Sequence, residues 1–235
     1  MAEYLDFAVA TAQEAGALLM EHFGKIQKLE WKLRTNFKTQ VDDASDDLIR
    51  RRIEARFPGH RIYSEELAAK ETGSKFVWVV DTLDGTLPYT IGENHFSVCI
   101  GLVHGVTLIL GVIFAPMRNE LYVAEREGGA FLNGEPIRVA DVSNLNHALL
   151  PAETGKVPNR ERKTELEQQL LAEHGATFVF TYGCASVPLA SVARGRLHGF
   201  LAHKLEPWDM AAAVPIIQEA GGRVTALDGT EWRLG

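Results

Sequence analysis

The stretch Phe76-Val-Trp-Val-Val-Asp-Thr-Leu-Asp-Gly-Thr86 decides how the chain folds. Its first five residues are apolar β-formers, which predicts a short strand buried on both faces. The predicted strand ends at Asp81, and a second carboxylate follows three residues later at Asp84. The Gly-Thr step after it is suited to starting a helix. The stretch therefore predicts a buried strand whose carboxyl end carries two acidic groups.

Helix and strand patterns alternate on both sides of this strand. We expect a single domain over residues 1–235, an α/β (α+β) layered sandwich in which helices cover mixed sheets. The polar stretch near 150–164, from Pro151 to Thr164, indicates a subdomain junction within it. The predicted helices span 4–23, 42–57, 165–174, 187–194 and 210–220. The predicted strands span 120–124, 177–181, 199–202 and 223–226, with hairpins over 96–114 (turned at His104-Gly105) and at Asn133-Gly134.

Composition places the chain among ordinary globular proteins and narrows its partners. It has 235 residues, 46% of them hydrophobic, and a formal net charge of −7. This charge argues against nucleic acid and anionic membranes as partners, since both need clustered basic residues. The basic run Arg50-Arg51-Arg52 lies on a predicted helix and is interpreted as a solvated face rather than a nucleic-acid patch.

Cysteine content and hydropathy bear on the compartment. Two cysteines, Cys99 and Cys184, lie in apolar surroundings, which indicates reduced, buried thiols and a cytoplasmic protein. The amino terminus is amphipathic and opens with acids, so no secretory signal is expected. The longest apolar stretch, 98–116, is interrupted by glycines and is too short to span a bilayer.

The acidic residues are the candidates for chemistry. Asp81 and Asp84 follow a buried strand, and the carboxyl ends of strands are where ligand sites gather in α/β folds. A buried carboxylate needs a cation or a basic partner, and the motif contains neither Lys nor Arg. Further acids occur at Glu65-Glu66 and at Asp209. Oxygen ligands are those that Mg²⁺ prefers, although each acid taken alone also suits a helix cap or a solvated turn.

Together these motifs resemble the inositol monophosphatase family of Mg²⁺-dependent, lithium-sensitive phosphatases. Three acidic motifs occur in the family's order and spacing, and the resemblance covers nearly the whole chain. They are Ser64-Glu65-Glu66, Asp81-x-x-Asp84-Gly85-Thr86 and Trp208-Asp209-x-Ala211-Ala212, with Gly183-Cys184-Ala185-Ser186 and others between them.

The resemblance implies roles for individual residues, which we list as expectations. One Mg²⁺ would be held by Glu65, Asp81 and the backbone carbonyl of Leu83. A second would be held by Asp81, Asp84 and Asp209, and a weaker third ion would sit near Glu65. Thr86, hydrogen-bonded to Glu65, would take the proton from the attacking water. The substrate would contact Asp84, Gly85, Thr86, Gly183, Cys184 and Ala185, with the amides of Gly85 and Thr86 on the phosphate.

The chain departs from the family pattern at several positions. Ser45 stands where an Asp is usual, which bears on the outer metal shell, and the neighbouring acids Asp42, Asp43 and Asp46 are candidates to substitute for it. Ala202 stands where inositol-cleaving members carry a Glu that binds a ring hydroxyl. Thr82 replaces a Pro, and Leu87-Pro88-Tyr89 replaces an Asn-Phe type of continuation. The family normally continues past Thr230 with one more strand and a closing helix, which we expect to be missing here.

The resemblance implies a homodimeric phosphomonoesterase acting on a small-molecule phosphomonoester, with inositol monophosphate as the default substrate. Fructose-1,6-bisphosphate, histidinol phosphate and a nucleotide 3′-phosphate remain alternatives with the same mechanism. A haloacid-dehalogenase type of phosphatase is disfavoured, because its nucleophilic Asp would fall at Thr82. A catalytically silent phosphate- or metal-binding module is the alternative of another class.

Overall fold

In a computed structural model, the described residues are 2–25, 28–33, 36–67, 72–153, 165, 168–172 and 175–234. They form three β-sheets, six α-helices with the bounds given below, and two 3₁₀ helices at Pro116–Arg118 and Leu145–His147. Residues 165 and 168–170 are also helical. The strands are β1 Leu29–Leu33, β2 Asn36–Thr39, β3 Arg61–Ser64, β4 Phe76–Asp84, β5 Ser97–His104, β6 Thr107–Ala115, β7 Glu120–Glu125, β8 Gly129–Leu132, β9 Glu135–Pro136, β10 Leu149–Glu153, β11 Phe178–Phe180 and β12 Leu201–Ala202. The α-helices are α1 Ala2–His22, α2 Gln40–Arg56, α3 Thr86–Thr90, α4 Ser186–Ala193, α5 Pro207–Met210 and α6 Ala213–Glu219.

The main sheet has seven strands in sequential order from β3 to β9. Its first pair, β3 and β4, is parallel, and every later pair is antiparallel. A smaller parallel sheet has the order β11-β10-β12, and β1 with β2 forms a separate antiparallel hairpin. The expected α/β architecture with mixed sheets is therefore confirmed.

Helices cover both faces of the main sheet, because its central strands alternate apolar side chains between two cores. On one face, Val80 and Ile100 join the α1 and α2 residues in a buried cluster. On the other face, Cys99 and Ile113 pack with residues from α4 and α6. Among the described residues, no helix has both the length and the apolar character that crossing a bilayer requires.

Several element boundaries differ from expectation. Strand β4 continues to Asp84 instead of ending at Asp81. The helix expected over 210–220 begins earlier and is broken into α5 and α6. The strand expected over 223–226 is wrong, because this segment forms only an isolated bridge between Thr225 and Glu231.

The expected junction near 150–164 is only partly described. Its first residues, up to Glu153, belong to strand β10 and not to a linker. Residues 154–164 lie outside the described part of the chain, as do residues 166, 167, 173 and 174 of the helix expected over 165–174.

A pair of glycines brings the segment between α5 and α6 against the main sheet. Gly101 and Gly111 face each other across β5 and β6. A Cβ on Gly101 would lie 2.8 Å from the carbonyl carbon and oxygen of Ala211, and one on Gly111 would lie 2.0 Å from the Ala212 carbonyl oxygen. Only glycine permits this approach, which brings α5, the helix containing Asp209, close to strand β4.

This contact can be tested by adding one methyl group. Gly111→Ala should lower the free energy of unfolding by about 1–3 kcal/mol, since overpacked cores must shift to admit a side chain. Gly59→Ala is the matched control, because no atom lies within 4 Å of the Cβ it would add. Urea denaturation of both variants measures the difference. Equal stability of the two variants would contradict the close approach.

Candidate metal and phosphate site

The carboxyl end of β4 brings two acids to one face of the sheet. Asp81 pairs with Cys99 of β5, and Asp84 pairs with Ser97, so three steps along β4 match two along β5. In a regular strand, residues three apart point to opposite faces. The extra residue in this bulge reverses that alternation, which allows both carboxylates to point the same way.

Asp209 completes a cluster of three carboxylates. Carboxylate oxygens of Asp81, Asp84 and Asp209 all lie within 4.8 Å of one another. Asp81 and Asp84 are 2% and 7% exposed. Such a group of negative charges in a buried place is unfavourable unless a cation compensates it. The all-oxygen donor set fits a hard divalent cation such as Mg²⁺.

Hydrogen bonds fix the orientation of each acid in the cluster. Asp81 Oδ1 accepts from the Leu83 amide at 3.1 Å, within the bulge. Asp209 Oδ2 accepts from the Glu206 amide at 2.8 Å, at the start of α5. Asp84 Oδ2 accepts from the Ala185 and Ser186 amides, at 3.0 and 2.7 Å, and from the Ser186 hydroxyl.

The environment shifts the proton affinity of Asp84. Burial raises its pKa, and the hydrogen bonds from Ser186 and Ala185 lower it. The negative charge of Glu65 raises it again, so Glu65 acts on the cluster through its electric field. Because burial is the largest of these effects, the net direction is upward, which a bound cation would oppose.

Glu65 lies on the turn that follows β3, beside a lysine of the β1–β2 hairpin. The ammonium Nζ of Lys32 lies 3.5 Å from Glu65 Oε1 and 2.7 Å from Glu66 Oε1. Burial raises the pKa of Glu66, although Lys32 lowers it. The predicted ligand Glu65 is not among the three acids that lie within 4.8 Å of one another, and its link to them is the effect of its charge on the pKa of Asp84.

Thr86 has a different carboxylate partner from the one expected. Its hydroxyl lies 3.2 Å from Asp42 Oδ1 and 3.3 Å from the Leu83 carbonyl oxygen. Asp42 is 3% exposed, and its Oδ2 accepts from the amide and hydroxyl of Thr39 at 2.8 and 2.6 Å. In this structure the Thr86 hydroxyl is therefore paired with Asp42, and the Thr86–Glu65 pair that the resemblance implies stays a prediction.

Sequence reasoning named Asp42 only as one of the acids beside Ser45 and missed its contact with Thr86. The available signal was the sequence Thr39-x-x-Asp42, which is a capping box at the start of α2. Burial raises the pKa of Asp42, while its hydrogen bonds with Thr39 and Thr86 lower it and Glu65 raises it. A buried carboxylate with a raised pKa beside a hydroxyl is the arrangement expected of a proton acceptor.

Ser45 ties α2 to the bulge. Its hydroxyl is buried and donates to the Thr82 carbonyl at 3.1 Å, and the Thr82 hydroxyl donates to the Asp42 carbonyl at 3.3 Å. Ser45 thus joins helix α2 to the carboxyl end of β4 through a hydrogen bond. The effect of Ser45 on the outer metal shell stays a prediction.

The two glycines expected to contact substrate occupy left-handed backbone positions. Gly85 has φ +92°, and a Cβ there would lie 2.3 Å from the His95 carbonyl oxygen. Gly183 has φ +74°, and its amide donates to Glu153 Oε1 at 2.8 Å. Glycine is the residue that both positions favour.

The turn before α4 donates backbone hydrogen bonds to two carboxylates of the protein. The Gly183 amide is bonded to Glu153, and the Ala185 amide is bonded to Asp84. Cys184 between them is buried, and burial raises the pKa of its thiol well above the ordinary value. Gly183 and Ala185 therefore orient carboxylates in this structure, and whether these two residues and Cys184 contact substrate stays a prediction.

Three comparisons relate this arrangement to known proteins. The model of the inositol monophosphatase family matches residues 1–235. A fructose-1,6-bisphosphatase/inositol-1-monophosphatase of Aquifex aeolicus is 34% identical, with 96% of this chain and 86% of that protein covered. Inositol monophosphatase 3 of Solanum lycopersicum is 35% identical, with 99% and 89% covered. The solved structure of an IMPase from Thermotoga maritima is 30% identical, with a TM-score of 0.89 over 98% of this chain and 88% of that one.

The raised pKa values of three acids predict how the effect of Mg²⁺ on stability depends on pH. The pKa values of Asp42, Asp84 and Glu66 lie above their ordinary values of 3.8, 3.8 and 4.5, so these carboxyls bind protons more tightly in the folded chain than in the unfolded one. They therefore make the metal-free protein less stable as pH rises from those ordinary values through the raised ones. Mg²⁺ should raise the melting temperature more at about pH 8 than at about pH 5, since it binds the ionised form.

Thermal unfolding with EDTA and with Mg²⁺ measures this difference. Asp84→Asn should remove most of the Mg²⁺ effect, and Asp47→Asn, at an exposed acid of α2, should leave it unchanged. A Mg²⁺ effect of the same size at both pH values would contradict the account.

Proposed function

Because the chain belongs to the inositol monophosphatase family, whose members hydrolyse phosphate monoesters, we propose that it is a Mg²⁺-dependent phosphomonoesterase. The observation that carries the proposal is the convergence of Asp81, Asp84 and Asp209 within 4.8 Å. The substrate class is a small phosphorylated polyol, and the attacking group is water, so no phosphoenzyme forms.

The donor set supports the proposed metal ligands. One Mg²⁺ would be held by Glu65, Asp81 and the Leu83 carbonyl, and another by Asp81, Asp84 and Asp209. A third, weaker ion would lie near Glu65. When bound, such ions polarise the phosphate, stabilise the leaving oxygen and lower the pKa of a bound water. The buried carboxylates are compatible with this role because their charges need compensation.

The protein's own contribution to proton transfer would come from Thr86 and Asp42. The Thr86 hydroxyl is held 3.2 Å from Asp42 Oδ1, and Thr39 fixes the other Asp42 oxygen. Thr86 would accept a hydrogen bond from the attacking water while it donates to Asp42. Asp42 would then hold the proton, and its raised pKa favours that acceptance. The Thr86–Glu65 pair that the family resemblance implies stays proposed beside it, with Glu65 also acting on the attacking water.

The amides of Gly85 and Thr86 are proposed to contact phosphate oxygens. The close approach of Gly85 to His95 leaves this turn compact, with no side chain at position 85. A phosphate could then come near the backbone at the start of α3. Gly183, Cys184 and Ala185 are also proposed to contact the substrate, and the amides of Gly183 and Ala185 orient Glu153 and Asp84 beside it.

Inositol monophosphate is the default substrate, and fructose-1,6-bisphosphate is the first alternative. The names of two relatives support these choices, since the Aquifex aeolicus protein carries both activities in its name and the Solanum lycopersicum protein is named for inositol monophosphate. Histidinol phosphate and a nucleotide 3′-phosphate are further alternatives. Ala202, which pairs with Glu153 across the small sheet, supplies no hydroxyl acceptor of its own. Lys204 and Glu206 follow it and are candidates for recognising another substrate.

Further properties are proposed from the family resemblance, the cysteines and the net charge. Lithium sensitivity and a homodimeric state follow the family resemblance. A cytoplasmic location agrees with two free, buried cysteines. The net charge of −7 supports a small-molecule partner rather than nucleic acid or a membrane.

Substitutions at the site test the mechanism. Asp84→Asn should abolish Mg²⁺-dependent hydrolysis of an aryl phosphate, because it removes a charge from the cluster. Thr86→Ala should lower kcat by about 10²-fold or more, the range typical of proton transfer by a positioned side chain. Thr86→Ser keeps the hydroxyl and should retain most activity. Steady-state kinetics at saturating Mg²⁺ measure all three, and an active Asp84→Asn enzyme would exclude the mechanism.

A panel of phosphomonoesters tests the substrate proposal. With Mg²⁺, inositol monophosphate should give the highest kcat/KM, and lithium should inhibit the reaction. The measurement is phosphate release from each candidate substrate, with and without lithium. A preference for fructose-1,6-bisphosphate or histidinol phosphate would replace the default substrate. Absence of Mg²⁺-dependent turnover on every phosphomonoester would refute the enzymatic function itself.

A further inference from the structure

Arg50 lies on α2, and its side chain points toward the protein interior. Its side chain is only 14% exposed, whereas the neighbouring Arg51 is an exposed residue. The interpretation of the run Arg50–Arg52 as a solvated face is therefore wrong for its first member. A buried guanidinium needs carboxylate or other acceptor partners, and its five N–H groups allow it to bind several at once.

The guanidinium of Arg50 links a buried acid of α2 to the turn after β3. Its Nε donates to Asp46 Oδ2 at 2.6 Å, and the Asp46 side chain is 3% exposed. Its Nη2 donates to the Ser64 hydroxyl at 2.7 Å and to the Leu67 carbonyl at 3.1 Å. One nitrogen thus joins both ends of the turn that carries Glu65.

The same turn is held from the opposite side by the β1–β2 hairpin. Lys32 contacts the carboxylates of Glu65 and Glu66, while Arg50 contacts the first and last residues of the turn. These two sets of contacts share no atoms. The carboxylates of the turn therefore contact Lys32 of the hairpin, while Arg50 of α2 holds the two ends of the turn.

The fork geometry of arginine suits this task better than a lysine would. With Nε fixed on a buried carboxylate, the plane of the guanidinium is set, and Nη2 has a defined direction. In the described part of the chain, Asp46 Oδ1 has no hydrogen-bond partner, so Arg50 supplies the hydrogen bond that this buried acid receives. The pair is thus a rigid support for the turn.

We propose that Arg50, held by Asp46, is a positioning residue that sets Glu65 for metal binding. The inference rests on the proposed function, because it assigns Glu65 as a metal ligand. Groups that orient metal ligands from behind typically change metal affinity by about 10-fold to 100-fold when they are altered. Arg50 itself contacts neither the cluster Asp81, Asp84 and Asp209 nor the reacting atoms.

Two variants and one control test the proposal on the full chain. Arg50→Lys keeps the charge beside Asp46 but cannot join Asp46, Ser64 and Leu67 with fixed geometry. Ser64→Ala removes one acceptor and leaves the Arg50–Asp46 pair in place, so the folded state is preserved. Arg51→Lys is the matched control, because Arg51 bonds only to the Asp47 carbonyl of its own helix among its described contacts.

The main readout is Mg²⁺ binding to the metal-free protein by calorimetry, with Mg²⁺ titration of activity as the second. Arg50→Lys and Ser64→Ala should each weaken Mg²⁺ affinity by about 10-fold or more, with kcat at saturating Mg²⁺ changed less. Amide hydrogen exchange over 64–67 should become faster in both variants, and Arg51→Lys should match the wild type in every readout.

The outcomes separate this inference from the proposed function. If the wild type binds Mg²⁺ and hydrolyses phosphate esters, but both variants bind Mg²⁺ with wild-type affinity, the positioning role is overturned and the function stands. If the wild type itself shows no Mg²⁺-dependent hydrolysis, the proposed function fails. A loss of melting temperature with unchanged Mg²⁺ affinity would make Arg50 a structural residue only and would also overturn the proposal.

Discussion

Electrostatic repulsion among three carboxylates, two of them buried and one half-buried, is the constraint on which the rest of the structure depends. Asp81, Asp84 and Asp209 come from two distant parts of the chain, yet their oxygens lie within 4.8 Å of one another. Like charges at this separation destabilise the folded chain unless a cation or donors offset them. The fold therefore has to supply both the geometry that brings them together and the groups that oppose their charge.

Three local devices provide that geometry. The bulge in β4 sets two acids on one face, the glycine pair 101 and 111 admits the backbone before α6, and the amides at the start of α4 bind Asp84. Each of these features departs from regular structure. The bulge interrupts the hydrogen bonding between β4 and β5, the glycine pair leaves two strand positions without side chains, and the first amides of α4 bind a carboxylate. Such local departures from ideal structure are expected at functional sites.

The sequence predicted the parts of this arrangement that depend on short-range pattern. The apolar run ending in Asp81 was sufficient to predict the buried strand, whereas the grouping of Asp81, Asp84 and Asp209 was implied by the family resemblance of the three acidic motifs. The contact of Asp42 with Thr86 was missed because it joins residues 44 apart, and a capping box explains an acid at that position equally well. Arg50 was misinterpreted for a similar reason, since its partners Ser64 and Leu67 lie beyond its own helix. The bulge that extends β4 to Asp84 depends on pairing with β5, which single-strand periodicity does not contain.

The most direct measurement of the central claim is the location of a divalent cation in crystals of the protein soaked with Mn²⁺. Anomalous scattering identifies the ion independently of any assumed ligand. The account predicts a peak within bonding distance of carboxylate oxygens from Asp81, Asp84 and Asp209 together, and its loss in Asp84→Asn crystals. Mn²⁺ bound elsewhere, with these three carboxylates unliganded at saturating ion, would contradict it.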